Sequence, residues 1–213
     1  MDKHLKQIVE KQVERTIEAL EKNKMAAVYV ESKDKVIDAV KAFMQEGETV
    51  GVGGSMTLFE TGIIDYLRSG RYNFLDRYAP GLTNDEMQEI YRKSFLADTY
   101  ITSTNAITED GELYCVDGNG NRVAAMIYGP KSVIVVAGIN KIVKDYEAAV
   151  DRVRRIASPA NATRLSCKTP CVKMGICQDC RSDMRICCSY TVFRQQRFKN
   201  RIKCIIVGEE LGY

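Results

Sequence analysis

The chain has 213 residues, of which 45% are hydrophobic and 28% are charged, and its formal net charge is +3. This length fits one large domain, and the near balance of charge gives no sign of nucleic acid as a partner. No apolar stretch approaches the length of a bilayer span, and the N-terminus lacks the apolar core of a secretory signal, so we expect a cytoplasmic protein without a membrane partner.

The first half of the chain alternates between helical and strand-like patterns. Apolar residues at helical spacing predict four helices, at 2–23, 33–45, 56–68 and 84–95. Short continuous apolar runs predict three buried strands, at 25–30, 49–52 and 98–102.

The second half continues the alternation and adds a cysteine-rich segment. A β-hairpin is predicted from 112–116 and 123–126, joined by Asp117-Gly-Asn-Gly-Asn121. A buried strand at 132–137 runs through Gly138-Ile-Asn140 into a helix that ends near Ile156, and the last strand is expected at 202–207. The pattern predicts a three-layer α/β/α sandwich with a mostly parallel sheet, as a single domain over 1–213 with a cysteine-rich lobe at about 160–200.

The turn Gly53-Gly54-Ser55 follows the second strand and precedes a helix. Its glycines would allow a ligand to approach the backbone, and the N–H groups at the start of the helix suit a phosphate or carboxylate. The alternative is that Ser55 only caps the helix and the glycines only make the turn. Glu60 lies five residues after Ser55, about 140° around the helix, so it need not repel an anion at the turn.

A second polar cluster occupies 102–111 and 117–122, where a strand ends and the predicted hairpin begins. Sheets of this class bind ligands at that edge, so Asn105 and Asn119 could hold hydroxyl groups, Arg122 an anion and Glu109 a proton. The alternative is ordinary turn chemistry, because Asp-Gly and Asn-Gly are common turn formers. A functional cluster requires that these four residues share a cleft with Ser55.

Cysteines and histidines are unevenly distributed. The only histidine is His4, which excludes histidine-dependent catalytic triads and histidine-ligated metal sites in practice.

Six of the eight cysteines lie between positions 167 and 188, a density typical of disulfides or of a metal site. A cytosolic location favours metal or redox thiols. Cys177-x-x-Cys180 suits two ligands of one metal, and Cys171 and Cys187 could complete a four-thiolate shell for zinc or an iron–sulfur cluster.

Three segments resemble the LUD family, the lactate-utilisation domain proteins: 51–62 (GVGGSMTLFETG), 102–113 (TSTNAITEDGEL) and 117–124 (DGNGNRVA). The match continues through 133–140, and the late cysteine segment resembles one sub-branch of the family. The resemblance implies the fold of sugar-phosphate isomerases and CoA transferases, with the 53–55 turn where relatives hold a phosphate or CoA moiety. It also implies a bacterial role in L-lactate oxidation beside iron–sulfur and oxidoreductase proteins.

The family pattern implies a ligand set and leaves three functions open. The implied ligands are Cys171, Cys177, Cys180 and Cys187, with the remaining cysteines of the segment as spares. The first function is an accessory redox protein of lactate oxidation that carries an iron–sulfur cluster. The second is an isomerase- or transferase-like enzyme for a phosphorylated or CoA-linked small acid, with structural zinc and with Glu60 or Glu109 as its acid–base or nucleophilic carboxylate. The third is a non-catalytic regulatory or assembly module. A homodimer is possible in each case.

Overall fold

The computed structural model describes residues 2–213. The strands of this part of the chain are, in order, β1 (Ala26–Val30), β2 (Thr49–Val52), β3 (Asn73–Phe74), β4 (Thr99–Thr102), β5 (Ala106–Thr108), β6 (Leu113–Asp117), β7 (Ser132–Gly138), β8 (Ile142–Val143), β9 (Ser189–Phe193) and β10 (Ile202–Val207). Six of them form the main sheet in the spatial order β1-β10-β7-β4-β2-β3, and its neighbouring strands are all parallel.

The α-helices of the same part are α1 (Lys3–Lys22), α2 (Val36–Lys41), α3 (Met56–Glu60), α4 (Ile63–Leu67), α5 (Asn84–Lys93), α6 (Asn121–Tyr128), α7 (Tyr146–Arg152), α8 (Ser158–Arg164) and α9 (Pro170–Met174). A π-helical segment, Val153–Ala157, joins α7 and α8 into one rod. Within residues 2–213, no helix is both long and apolar enough to cross a membrane.

The main sheet is buried on both faces, which is why its strands read as continuous apolar runs rather than alternating ones. Along β7, Val133 and Val135 face one core, whereas Ile134 and Val136 face the other. The first core is completed by helices α1 and α6 and by strands β5, β6, β8 and β9. The other core is completed by helices α2, α3 and α4. The expectation of a three-layer α/β fold with a mostly parallel sheet is therefore confirmed.

A smaller sheet of four strands, in the order β8-β5-β6-β9, packs beside the main one. Its β6 strand is antiparallel to both β5 and β9, while β5 and β8 are parallel. Ala106 and Tyr114 of this sheet pack on Ala149, Val153 and Ala157 of the α7–α8 rod. The cysteine segment runs between α8 and β9, so these two elements fix its ends.

The predicted hairpin of 112–116 and 123–126 is wrong, because the second arm is helix α6. Gly120 adopts φ 78° and turns the chain, and the Asp117 carboxylate accepts the N–H of Val123 in the first turn of the helix (3.0 Å). Val123 and Met126 are three residues apart, so a helix buries both on one face. The strand at 113–117 instead pairs with β5 and β9.

Two predicted helices also differ from the structure. The helix expected over 56–68 is interrupted at Gly62, which has φ 71° and separates α3 from α4. The helix expected to follow Asn140 begins only at Tyr146, after the short strand β8, and the rod then continues to Arg164. In both cases local turn geometry interrupts a pattern that is compatible with continuous helix.

Candidate functional site

The candidate site lies where the strand order of the main sheet reverses. From β2 the chain continues outward to β3, whereas from β4 the sheet extends in the opposite direction to β7. The loops that leave adjacent β2 and β4 at their carboxyl ends diverge at this point, which is where open α/β sheets bind ligands. A pocket of about 250 Å³ opens there.

The pocket brings together most of the residues that the sequence singled out for ligand binding. Gly54, Ser55, Asn105, Asn119 and Arg122 all line it. Ser55 has extended backbone geometry before α3, and its side chain makes no capping hydrogen bond. Its hydroxyl is therefore not consumed by the cap that the alternative interpretation assigned to it.

Gly53 supports the pocket from behind and does not line it. A Cβ atom at Gly53 would lie 2.5 Å from Thr102 Oγ1 and 3.0 Å from Arg122 Cδ. At Gly54 a Cβ atom would meet only the Arg77 guanidinium, at 3.6 Å. The first glycine is thus required by close packing, whereas a Cβ atom at the second would make only ordinary van der Waals contact with a cation.

Positive charge dominates the pocket. Four cationic side chains line it, namely Arg77, Arg122, Lys141 and Arg164. Among residues 2–213, Asp117 is the only acidic residue of the lining. Asp117 is already paired with Arg122 (2.7 Å). The remaining charge is positive and suits an anionic ligand.

Arg122 is held by the protein itself. Its Nε donates to Asp117 Oδ1 (2.8 Å) and its terminal nitrogens donate to Ser103 O (2.9 Å), Asn105 Oδ1 (3.0 Å) and Val116 O (3.0 Å). The residue is only 9% exposed. A guanidinium committed in this way forms the floor of the pocket and joins the two polar segments, so we assign direct contact with an anion to the other cations.

Lys141 is the most unusual cation of the site. It is 2% exposed, and its Nζ donates to Thr57 Oγ1 (3.0 Å) and Ser103 Oγ (2.9 Å). Burial, followed by the nearby charges of Arg152 and Arg122, lowers the pKa of Lys141 to about 7. An appreciable fraction of this side chain is therefore a neutral amine near neutral pH.

Two buried polar atoms of the lining lack hydrogen-bond partners within residues 2–213, Arg77 Nε and Tyr213 Oη. Burial raises the pKa of Tyr213, and Arg164 opposes that rise without giving the hydroxyl a hydrogen bond of normal geometry. The Arg77 guanidinium lies 4.5 Å from the centroid of the Tyr91 ring, and its Nη2 donates to the Tyr91 hydroxyl (2.5 Å), so Tyr91 holds the guanidinium in place. Unsatisfied buried polar atoms are rare in native structures, so two beside one pocket mark it as a place where hydrogen-bonding groups are not all used within the protein.

The two carboxylates predicted as catalytic do not line this pocket. Glu109 accepts hydrogen bonds from Gln12 Nε2 (2.9 Å) and Arg15 Nη2 (2.9 Å) of α1. Burial is the largest single influence on the pKa of Glu109 and raises it, but the contacts with Gln12 and Arg15 together outweigh burial and lower the pKa. Glu60 is exposed and accepts the N–H of Gly212 (2.8 Å). Glu109 thus ties α1 to the end of β5, whereas Glu60 lies near enough to Lys141 to favour its protonated form.

The predicted metal ligands line a second, small cavity. Cys171, Cys177, Cys180 and Cys187 all border it, and its volume is about 10 Å³. All four are free thiols. In the part of the chain from Asp2 to Tyr213, no three histidine, cysteine or acidic side chains converge closely enough to hold a metal ion.

Arg185 organises the loop around these thiols. Its guanidinium donates to the backbone oxygens of Cys180 and Cys187 and pairs with Asp179 (3.0 Å). Burial raises the pKa of Cys187, and the charge of Arg185 and a hydrogen bond with Tyr190 oppose that rise. The donor set suits a zinc ion or an iron–sulfur cluster chemically, but the sulfur atoms would have to move closer together to bind either.

A family model described as the LUD domain matches residues 13–207. The chain belongs to the LUD domain family. Among solved structures, a DUF162 family protein from Deinococcus radiodurans is similar, with 16% sequence identity, a TM-score of 0.50, and coverage of 95% of this chain and 97% of that one. Ribose 5-phosphate isomerase from Plasmodium falciparum also matches, with 18% identity, a TM-score of 0.33 and 53% of each chain covered. No curated protein sequence matched the chain.

Sequence reasoning missed four ionisable residues that line the pocket of this LUD domain: Arg77, Lys141, Arg164 and Tyr213. A signal existed for Lys141, because it follows the buried strand β7 and so lies at the same sheet edge as Ser55. Arg77 follows only the two-residue edge strand β3, Tyr213 lies six residues after β10, and Arg164 ends α8. Only the tertiary fold brings them to the site.

Proposed function

We propose that this LUD-domain protein binds a small organic anion at the sheet-edge pocket and acts on it as an isomerase- or transferase-like enzyme. The expected ligand class is a phosphorylated or CoA-linked small acid. The observation that carries the proposal is the pocket's charge: Arg77 and Arg164 line it without an ion pair, and the one acidic residue of the described lining is neutralised by Arg122.

The volume of the pocket and the polar groups that line it limit the class of ligand. A volume of about 250 Å³ suits a small acid or the acyl or phosphate end of a larger molecule. Arg77 Nε and Tyr213 Oη, which are buried beside the pocket without hydrogen-bond partners among residues 2–213, are the donors that we assign to its oxygen atoms. Arg77 is already held by its contacts with the Tyr91 ring and hydroxyl group, so less side-chain entropy is lost on binding.

The acid–base chemistry of this proposal belongs to groups inside the pocket. Lys141 is the lining residue whose pKa lies near neutrality, and Tyr213 offers a hydroxyl group. We no longer assign Glu60 or Glu109 a catalytic role, because their carboxylates contact Gly212 and α1.

A thermal-shift panel tests this function. The ligands are L-lactate, pyruvate, a sugar phosphate and a CoA ester, each compared with an uncharged analogue of similar size. At 100 times its dissociation constant a ligand of the native state adds about 2.7 kcal/mol of stability. We expect at least one anion to stabilise the protein and its uncharged analogue not to do so. Equal effects of both members of every pair would contradict the proposal and favour a non-catalytic module.

A second candidate function concerns the cysteine segment. We propose that Cys171, Cys177, Cys180 and Cys187 hold an iron–sulfur cluster, which would supply one-electron transfer in bacterial lactate oxidation. Support comes from the position of all four thiols around one cavity and from the family to which the chain belongs. The partners would be cytoplasmic iron–sulfur and oxidoreductase proteins. Structural zinc on the same thiols is the alternative.

Metal analysis of anaerobically prepared protein separates these alternatives. Iron and acid-labile sulfide with visible absorption support the cluster, whereas one equivalent of zinc without iron supports the structural site. Changing Cys177 and Cys180 together to serine should abolish either metal and leave the main sheet folded. Cys188→Ser is the matched control, because Cys188 is exposed and does not border the cavity. Protein without any metal after reconstitution would refute this second function.

A further inference from the structure

Lys141 lacks the partner that normally accompanies a buried lysine. Among residues 2–213 it forms no ion pair, and its recorded hydrogen-bond acceptors are the hydroxyl groups of Thr57 and Ser103. A buried charge without a paired carboxylate is costly, and the usual outcome is that the group becomes neutral. The side chain is therefore arranged as an amine rather than as a structural cation.

The neutral form of Lys141 can make both of its hydrogen bonds. Thr57 Oγ1 donates to Leu211 O (3.4 Å) and Ser103 Oγ donates to Thr104 O (3.4 Å), so both hydroxyl groups present lone pairs to the lysine. A neutral amine has two N–H groups and one lone pair. The two acceptors use both N–H groups, and the lone pair stays available on a nitrogen whose side chain borders the pocket.

The cations near Lys141 are fixed in place. Arg152 donates to Asn140 O (2.9 Å) and Asn105 O (2.7 Å), and Arg122 is held by the contacts described above. Together with burial, these two guanidinium groups disfavour a third charge on Lys141, while Glu60 acts weakly in the opposite direction. A lysine that is desolvated beside another cation is a recognised way to obtain an amine nucleophile.

We propose that Lys141 is a nucleophile that forms a Schiff base with a small aldehyde or ketone carrying a carboxylate or phosphate group. This inference rests on the proposed function, because the pocket's free cations must hold the anionic end of the ligand. The lone pair of Nζ forms a bond to the carbonyl carbon. The carbonyl oxygen then leaves as water with the two protons of the amine, and a C=N double bond remains. No oxidant or reductant is consumed.

Reductive trapping of the wild-type protein tests this step. The protein is incubated with pyruvate, with glyceraldehyde 3-phosphate or with uncharged acetone, each with sodium cyanoborohydride, and analysed by intact mass and peptide mapping. We expect one adduct per chain, on Lys141, with pyruvate or with the phosphorylated aldehyde, and at least tenfold less of it with acetone. The two anionic arms distinguish a carboxylate ligand from a phosphate ligand.

Lys203 is the internal control. It too is partly buried, with a pKa lowered by burial, and its Nζ donates to Ser132 Oγ (2.9 Å). It lies near the start of β10, at the amino-terminal edge of the sheet, away from the pocket. Labelling of Lys203 as fast as Lys141, or labelling of exposed lysines alone, overturns the proposal. Because mapping uses wild-type protein, the result does not depend on the folding of a variant.

A parallel thermal-shift measurement separates failure of this inference from failure of the proposed function. If pyruvate or the phosphorylated aldehyde stabilises the protein but leaves Lys141 unlabelled, the Schiff base is refuted and anion binding stands. If neither anion stabilises or labels the protein, the Schiff base is refuted and the proposed function loses its support as well. Labelling of Lys141 that Lys141→Arg abolishes, in a variant with an unchanged far-UV spectrum, supports the nucleophile.

Discussion

Replacing Arg122 with methionine should destabilise the protein strongly. The guanidinium donates to Asp117, Ser103, Asn105 and Val116, and it is only 9% exposed. Methionine fills similar space but leaves the Asp117 carboxylate, itself 8% exposed, without its counter-charge. Removal of one partner from a buried ion pair typically costs about 3–5 kcal/mol. We therefore expect a loss of about 3–5 kcal/mol in the free energy of unfolding.

Urea denaturation followed by circular dichroism measures this loss as a fall in the midpoint at unchanged slope. Arg155→Met is the matched control, because Arg155 is exposed and pairs only with Asp151 on the same helix (2.6 Å). Such a pair contributes at most about 1 kcal/mol. A loss below about 1 kcal/mol for Arg122→Met would refute this reasoning. Arg122 would then be available to the ligand.

Two further predictions concern stability. The unfolded pKa of lysine is about 10.4, whereas that of Lys141 is about 7 in the native state, so between these values the unfolded chain binds more protons. The free energy of unfolding of the wild-type protein, measured by urea denaturation relative to Lys141→Met, should therefore rise from pH 7 towards pH 10 by up to about 1.4 kcal/mol per pH unit. A difference between the two proteins that does not change with pH would contradict a lowered pKa. In thermal denaturation, Gly53→Ala should lower the free energy of unfolding by about 1–3 kcal/mol through overpacking, while Gly54→Ala should change it by no more than about 0.5 kcal/mol. Equal effects would show that the turn tolerates side chains at both positions.

The sequence predicted those parts of the fold that depend on local pattern. The runs at 132–137 and 202–207 are central strands, because a strand covered on both faces needs apolar residues at every position. The segment after Asp117 was mispredicted as a strand. Val123, Ala125 and Met126 are compatible with either state over so short a window, and the capping contact from Asp117 decides for helix.

The candidate site was predictable where it follows strand ends and unpredictable elsewhere. Ser55 and Asn105 follow adjacent strands, so the sheet brings them together. Glu109 follows β5 in the smaller sheet, where its carboxylate forms an ion pair with Arg15 of helix α1, which is distant in sequence. Arg77 comes from a loop after the edge strand β3, and no local pattern indicates that this loop folds over the pocket.

The most direct test of the account is calorimetric titration of the best-stabilising anion into the wild-type protein, Arg77→Met and Arg92→Met. Arg77 borders the pocket with an unsatisfied Nε, whereas Arg92 is exposed on α5 and pairs with Glu89. A hydrogen bond to a charged group contributes about 1.5–3 kcal/mol, equivalent to a roughly 10- to 100-fold change in affinity. We predict that Arg77→Met raises the dissociation constant by this factor while Arg92→Met leaves it unchanged. Equal affinity of all three proteins would contradict an anion site at this sheet edge.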